Sequence, residues 1–375
     1  MKHNHPAEQS PEPETNPNIP TTDRVYSRSH PASPGKRAQK IVLVILSLVL
    51  VAALALGGGL WILVSQNVRT FDASETLKEP YDKASEPLEN PLPAVRGITN
   101  ILLLGVDNRD AASDSIAERS DSMMILTVDS VHGQIKLTSL QRDMSVYIPG
   151  KKGTDKINAA NALGGPLLAM RVVSETLRLD IQKFVVVNMA GLEKIIDAAG
   201  GVLLDVSEKE LKAVNEELAM VNKTFPDTEP SPILEQPGLQ LLDGRQAVTY
   251  ARIRKIDSDY ARMERQREVM QALADAAIKA GPARKIDLAQ VGLSQITTNL
   301  STREMFLLGL RSLPLLRKPI AQLQIPIEGY YKNVSGEVWK SLCDFNGMIP
   351  LLQDFIYGQT FAFDPVKKIE GAPGN

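Results

Sequence analysis

At 375 residues, 43% of them hydrophobic and 23% charged, the chain is long enough to bury one large core or two small ones. A net charge of -2 and a pI near 6.2 give no global pull towards nucleic acid, so any positive site has to be local. The single cysteine, Cys343, excludes an internal disulfide and any multi-cysteine metal site.

The first 35 residues are rich in Pro, Ser, Asn, Thr and Glu and nearly empty of large apolar side chains, so they are expected to be a disordered tail. Residues 36–65 follow as a basic flank and a candidate membrane anchor. Ile41 to Val64 carries no charge, and about 20 apolar residues suffice to cross the hydrocarbon core. Lys36, Arg37 and Lys40 precede this run, and the excess of positive charge before it predicts a cytoplasmic N-terminus and an extracytoplasmic remainder. The run is too long for a signal-peptide core, and no small-residue cleavage site follows it. Residues 66–96, polar and bearing Pro80, Pro87, Pro91 and Pro93, are expected to be an extended spacer that lifts the next domain slightly off the bilayer.

The central stretch runs from Asn100 to Asp143. Ile101 to Gly105 and Met123 to Val128 are continuous apolar runs, as in strands buried on both faces, whereas Ile135 to Leu140 alternates, as in a strand with one wetter face. The turn Asp129-Ser-Val-His-Gly133 predicts an antiparallel hairpin between the last two. If the first run is also antiparallel to the second, Asp107, Arg109, Arg119, Asp121, Arg142 and Asp143 share one sheet edge. Carboxylates with guanidiniums there suit a hard cation such as Mg²⁺ (or Mn²⁺) and a phosphate group. Surface ion pairing is the plain alternative for such charges.

Further on, Gly164-Gly165-Pro166 breaks one helix and starts another, Phe184 to Asn188 reads as a buried strand, and Leu192 to Ala199 as a helix closed by Gly200-Gly201. Val202 to Val206 is a further strand and Ser207 to Val221 a helix. This alternation indicates an α/β fold, layered α-β-α around a central mixed sheet. Arg252 and Arg254, two apart, would share one face of a strand. Ser258 or Asp259 caps a helix to about Ala280, on which Arg262, Arg265 and Gln266 share a face. Ser301-Thr-Arg-Glu304 is a capping box before an apolar helix, Ile320 to Ile327 is a strand, and Trp339 to Tyr357 one or two helices.

Several ordered motifs resemble the LytR-CpsA-Psr cell-wall proteins over about Asn100 to Ala280. They are Leu-Leu-Gly-Val-Asp107, Arg119-Ser-Asp-Ser122, Arg142-Asp143, Asp155-Lys-Ile-Asn158, Val187-Asn-Met189, Gly200-Gly201, Tyr250-x-Arg-x-Arg254 and Arg262-x-x-Arg-Gln266. Gln141, Met144 and Asn161 depart from the residues usual beside these motifs. The resemblance implies a catalytic domain over residues 97–285, with residues 286–375 completing or extending it. It implies an extracytoplasmic enzyme that moves a glycopolymer, such as teichoic acid or capsule, from a polyprenyl pyrophosphate carrier onto peptidoglycan. It assigns metal binding to Asp107 and Asp121. Pyrophosphate contacts fall to Arg119, Arg142, Arg252, Arg262, Arg265 and Gln266, with Arg254 counted among them. Asp143 and Asp259 are the candidates for accepting the proton. The lipid tail needs an apolar tunnel, which the strands Leu102 to Leu104, Met123 to Val128 and Phe184 to Val187 could line. The expected partners are the lipid-linked glycopolymer, peptidoglycan and the cytoplasmic membrane, and not nucleic acid. A lipid pyrophosphatase using water as acceptor, or a lipid-binding regulator without transfer activity, are the alternatives.

Overall fold

The computed structural model describes residues 69–71, 91–106, 117–224, 229–253, 256, 259–312, 314–315, 318, 320–335 and 339–374. The expected tail and the expected anchor, Ile41 to Val64, lie outside these residues. Among the described residues no helix is long and apolar enough to cross a membrane.

The strands are β1 (Arg69–Thr70), β2 (Ile98–Val106), β3 (Ser120–Asp129), β4 (Gln134–Leu140), β5 (Ser145–Tyr147), β6 (Thr154–Lys156), β7 (Lys183–Asn188), β8 (Val202–Val206), β9 (Gly238–Leu242), β10 (Ile296–Thr298), β11 (Ala321–Ile325), β12 (Tyr331–Val334) and β13 (Lys340–Cys343). The helices are α1 (Ala159–Leu177), α2 (Met189–Ala199), α3 (Glu208–Thr224), α4 (Gly244–Arg252), α5 (Asp259–Lys279), α6 (Pro282–Ser294), α7 (Thr302–Ser312) and α8 (Phe345–Tyr357).

Seven strands form one sheet in the order β1-β10-β7-β2-β3-β4-β11. β2, β3 and β4 are successively antiparallel, while β2 and β7, β4 and β11, and β1 and β10 pair parallel, so the sheet is mixed. Leu102 and Leu104 on β2 point into a core shared with Val172 of α1 and Leu352 and Ile356 of α8. The neighbouring side chains Ile101 on β2 and Leu126 on β3 point the other way, into a core with Leu293 of α6 and Met305 and Leu308 of α7. Period-two alternation in continuous apolar runs thus serves two helical layers at once. A third cluster lies beside the sheet, where the β8–β9 hairpin, α2, α4 and α5 meet through Ile196, Leu204, Val248 and Leu273.

Four expectations change. β4 has no wetter face: Lys136 and Thr138 are buried, because α8 covers the alternate positions and β11 takes the open edge. Lys136 Nζ reaches Asp129 Oδ2 at 2.7 Å and donates to the Ile356 carbonyl at 2.8 Å. The expected spacer does not begin as free chain, since Arg69–Thr70 pairs with Thr297 and Thr298 of β10, and Phe71 packs edge-on against Phe184 at 5.3 Å. Arg252 ends helix α4 instead of lying on a strand, because Asp243 and Gln246 form a capping box that starts a helix there. The first part of Trp339 to Tyr357 is strand β13, paired with β12.

The Asp129 and Lys136 pair yields a stability prediction. Burial pushes the Asp129 carboxyl upwards, but bonds from the His132 backbone N–H, Lys136 and the His132 ring outweigh it and hold the group below the usual carboxylate value. Its stabilising contribution is therefore present above the unfolded value of about 3.9 and is lost as pH falls through the lower folded value. Lys136→Met, which leaves the carboxylate buried without its lysine, should cost about 3–5 kcal/mol in urea unfolding at neutral pH. That deficit should shrink on acidification; a deficit unchanged from neutral pH down to the acid transition would refute the pairing.

Candidate active site

β2 and β3 stay in register until the end of the pair, where Gly105 faces Ser122 and Val106 faces Ser120. Asp121 is the extra residue of this bulge, and a bulge re-aims the side chain it inserts. Glycine at 105 lets the strands close, since a Cβ there would lie 3.1 Å from the Ser122 Cβ. On the far side of β3, β4 ends at Leu140 and the chain turns through Gln141, Arg142 and Asp143.

This turn is tied down on every side. Gln141 N donates to the Ile325 carbonyl at 2.8 Å, and Ser341 N donates to the Asp143 carbonyl at 3.0 Å. Arg142 Nη1 donates to Asp121 Oδ1, and Arg142 Nε lies 3.3 Å from Asp143 Oδ2. Lys156, brought beneath by the β5–β6 hairpin in which Ser145 faces Lys156, donates to Asp143 Oδ1. Asp143 is 2% exposed. With one oxygen on Lys156 and the other facing Arg142, it is built to hold Arg142 and does not reach outwards as a base. A guanidinium set between two carboxylates loses rotamer freedom before any ligand arrives, which is how a phosphate site is preorganised.

The second half of the site comes from helices. Arg262 and Gln266 of α5 line one hollow together with Asp121, Ser122, Arg142 and Ser139. Arg262 and Arg265 are 2% and 3% exposed, so this is no solvated basic face. Arg265 turns away from the hollow: Nη2 donates to the Ile253 carbonyl at 2.8 Å, and Nη1 lies 3.5 Å from Glu210 Oε1. It braces the end of α4 where the family resemblance had placed a pyrophosphate contact. Tyr250 does the same from the other helix, donating to Glu268 Oε2 at 2.7 Å. Burial, then the Glu268 bond, push its hydroxyl above its ordinary pKa, and burial with the charges of Glu210 and Glu264 raises Glu268 as well. These bonds fix α4 on α5, and hence Arg252 relative to Arg262.

Next to the polar hollow, and sharing Ser122, Met124 and Gln266 with it, is an apolar cavity of ≈ 1200 Å³ counting its open mouth. Leu103, Gly105, Met124, Val185 and Val187 line it from the sheet. Met189, Leu192 and Ile195 of α2, Val248 and Ala251 of α4, and Val269, Met270 and Leu273 of α5 complete the wall, with Ile296, Leu300 and Met305 at β10 and α7. Arg252 and Gln266 are polar groups on its lining. The expected strand lining is half right, because Leu102, Ile125 and Phe184 face the opposite core. The helical lining was not foreseen; its signal was the apolar spacing Leu192, Ile195 and Ile196 in a segment read only as a short helix. Gly244 brings α2 and α4 together to form that wall, since a Cβ on it would meet the Glu193 carbonyl oxygen at 2.2 Å.

Arg119 is exposed at the start of β3, and its charge helps Lys151 hold the Asp155 carboxyl below its usual value against the opposing effect of burial. Asp107 and Arg254 lie outside the described residues, and Asp259 is described only as the first residue of α5. Among the described residues no group of three or more His, Cys, Asp or Glu forms a metal site. Lys156 was part of a quoted motif, but its role could not be read without the β5–β6 register.

The chain is 32% identical over 275 residues to the polyisoprenyl-teichoic acid–peptidoglycan teichoic acid transferase TagU of Enterococcus faecalis, covering 72% of this chain and 80% of the relative. Its fold matches a crystal structure from Streptococcus agalactiae with a TM-score of 0.59 at 23% identity, over 73% of this chain and 93% of that one. It also matches TagT bound to LI-WTA with a TM-score of 0.51 at 27% identity, over 70% of this chain and 91% of that one. The model of the LytR_cpsA_psr family matches residues 63–342, and with this fold and these relatives the chain belongs to that family.

Proposed function

We propose that this chain transfers a glycopolymer from a polyprenyl pyrophosphate carrier to peptidoglycan by phosphotransfer, outside a membrane crossed by Ile41 to Val64. The observation that carries this is the adjacency of the two hollows: an apolar cavity shares Ser122, Met124 and Gln266 with a hollow lined by Asp121, Arg142 and Arg262. A prenyl diphosphate has that same division, a greasy tail and an anionic head. An apolar wall of this extent cannot satisfy water, so it favours an apolar occupant.

In this scheme Arg142 and Arg262 hold the diphosphate, and Arg252 and Gln266 meet it where the tail ends. An acceptor hydroxyl on peptidoglycan attacks the phosphorus that bears the sugar. The bond from that phosphorus to the bridging oxygen breaks, and prenyl monophosphate leaves with the electron pair. Charge spreads over the phosphoryl oxygens in such a transfer, so fixed guanidiniums supply the main stabilisation. The acceptor proton goes to a base, for which Asp259 is the candidate once Asp143 is committed to Arg142 and Lys156. Asp121, the bulge residue beside Val106, would hold Mg²⁺ or Mn²⁺ together with Asp107, the residue after Val106. Carboxylate oxygens fit such a hard ion, which when bound supplies Lewis-acid neutralisation of the diphosphate.

Transfer of radiolabelled polymer from a prenyl pyrophosphate donor to peptidoglycan tests the scheme. Arg142→Ala and Arg262→Ala should each lower kcat/KM by about 10²–10³. Free phosphorylated polymer with none attached to peptidoglycan would mean that water is the acceptor and the enzyme a lipid pyrophosphatase. Leu192→Trp, which fills the cavity, should raise KM for a long-chain donor and spare a short-chain one; equal effects on both would remove the cavity from substrate binding. Chelation should stop transfer, and added Mg²⁺ or Mn²⁺ should restore it. Full activity after exhaustive chelation would exclude a metal role for Asp121.

A further inference from the structure

We propose that the outer face of α7 rests on the phosphate-bearing surface of the bilayer, so that a lipid enters the apolar cavity directly from the membrane beneath that helix. The inference builds on the lipid-carrier function proposed above and adds the surface through which the enzyme meets its membrane. It starts from the pattern of α7. Arg303, Leu307 and Arg311 recur at every fourth position and are exposed, while Met305, Leu308 and Ser312 are buried. A helix that shows arginine, leucine and arginine along one stripe offers apolar contact flanked by donors suited to phosphate oxygens. The acid on the same helix does not oppose this. Glu304 is held by Lys183 at 2.6 Å and by the Ser301 backbone and hydroxyl in the capping box.

Two further observations select a bilayer as the occupant. Chain length is the first. Only Ser65 to Val68 separate the end of the uncharged run Ile41 to Val64 from β1, and β1 is hydrogen-bonded to β10. Even fully extended, that link spans roughly 17 Å at about 3.4 Å per residue. The β1–β10 edge of the sheet is therefore held close to the point where the anchor would leave the membrane. β10 passes through Asn299 to Ser301 straight into α7, so α7 belongs to that same edge.

The cavity is the second. Ile296, Leu300 and Met305 line it. Met305 lies on the inward face of the helix that carries Arg303 and Leu307 outwards, so this end of the cavity is one helix away from the proposed lipid surface. A prenyl tail entering here need not cross water. A larger exposed apolar patch, Leu203, Leu239 and Leu241 on the outer face of the β8–β9 hairpin, shares that face with Asp205 opposite Leu239. A carboxylate among the leucines suits a phosphate-bearing surface poorly, and makes this patch the natural control.

The full chain is reconstituted in vesicles containing phosphatidylglycerol, carrying either Leu307→Cys or Leu239→Cys labelled with an environment-sensitive dye. Cys343 is 2% exposed and should not compete for the label. Lipids spin-labelled near the headgroup should quench the dye at position 307 several-fold more than the dye at position 239. Equal quenching, stronger quenching at 239, or none at either site overturns the proposal. Adding Arg303→Glu and Arg311→Glu should lower quenching at 307 several-fold, with the thermal melt of the purified chain unchanged. Quenching that survives both reversals would overturn the part assigned to the arginines. Transfer from a short-chain donor in detergent is measured separately: its absence, with quenching at 307 intact, would sink the transferase function and leave the docking surface standing.

Discussion

The site depends on one guanidinium held between two carboxylates at the end of adjacent strands. Arg142 bonds to Asp121 on one side and faces Asp143 on the other, with Lys156 completing the row from below. Such charges are costly to desolvate and stay together only because each is paired. What forces them together is apolar. β2, β3 and β4 are buried on both faces, and their register delivers Asp121 and Arg142 to the same edge whether or not the charges gain by it. The stability resides in the sheet, and the charges use the position that the sheet imposes.

The helical half is built on the opposite logic. α4 and α5 meet over a mixed cluster in which Tyr250, Glu268, Glu210 and Arg265 satisfy one another. Removing one partner of such a network strands another buried polar group, so the network specifies a single arrangement of the two helices. Because Arg252 ends one of them and Arg262 lies in the first turn of the other, that arrangement sets how the two guanidiniums stand relative to each other. Glycines act at the two seams. Gly105 closes β2 on β3 at the bulge, and Gly244 closes α4 on α2 at the cavity wall. Neither has a side chain to offer, yet each lets two elements pack more closely than any other residue would allow.

An apolar cavity lies next to a hollow that carries held guanidiniums. The lining comes from every layer: alternate residues of three strands, the inner faces of α2, α4 and α5, and the β10–α7 corner. β1 pairs with β10 at that same corner.

Local information in the sequence was enough for the long central strands and for several helix ends. Continuous apolar runs located β2, β3 and β7, Gly200 closed α2, and Ser301 with Glu304 opened α7, because each depends on residues within a few positions of one another. The ordered motifs also mark Asp121, Arg142, Arg262 and Gln266, which the fold brings to one hollow. Tertiary structure alone decided which way the side chains turned. Lys136 looked like a solvent-facing residue of an alternating strand and is buried, because α8, far along the chain, lies over it. Arg265 looked like a partner of Arg262 and braces Ile253 instead, because Glu210 arrives from α3. Asp143 looked like a base and became a clamp, because Lys156 is brought to it by a hairpin register. Periodicity marks which residues share a face, but only the layer packed against that face determines what they touch.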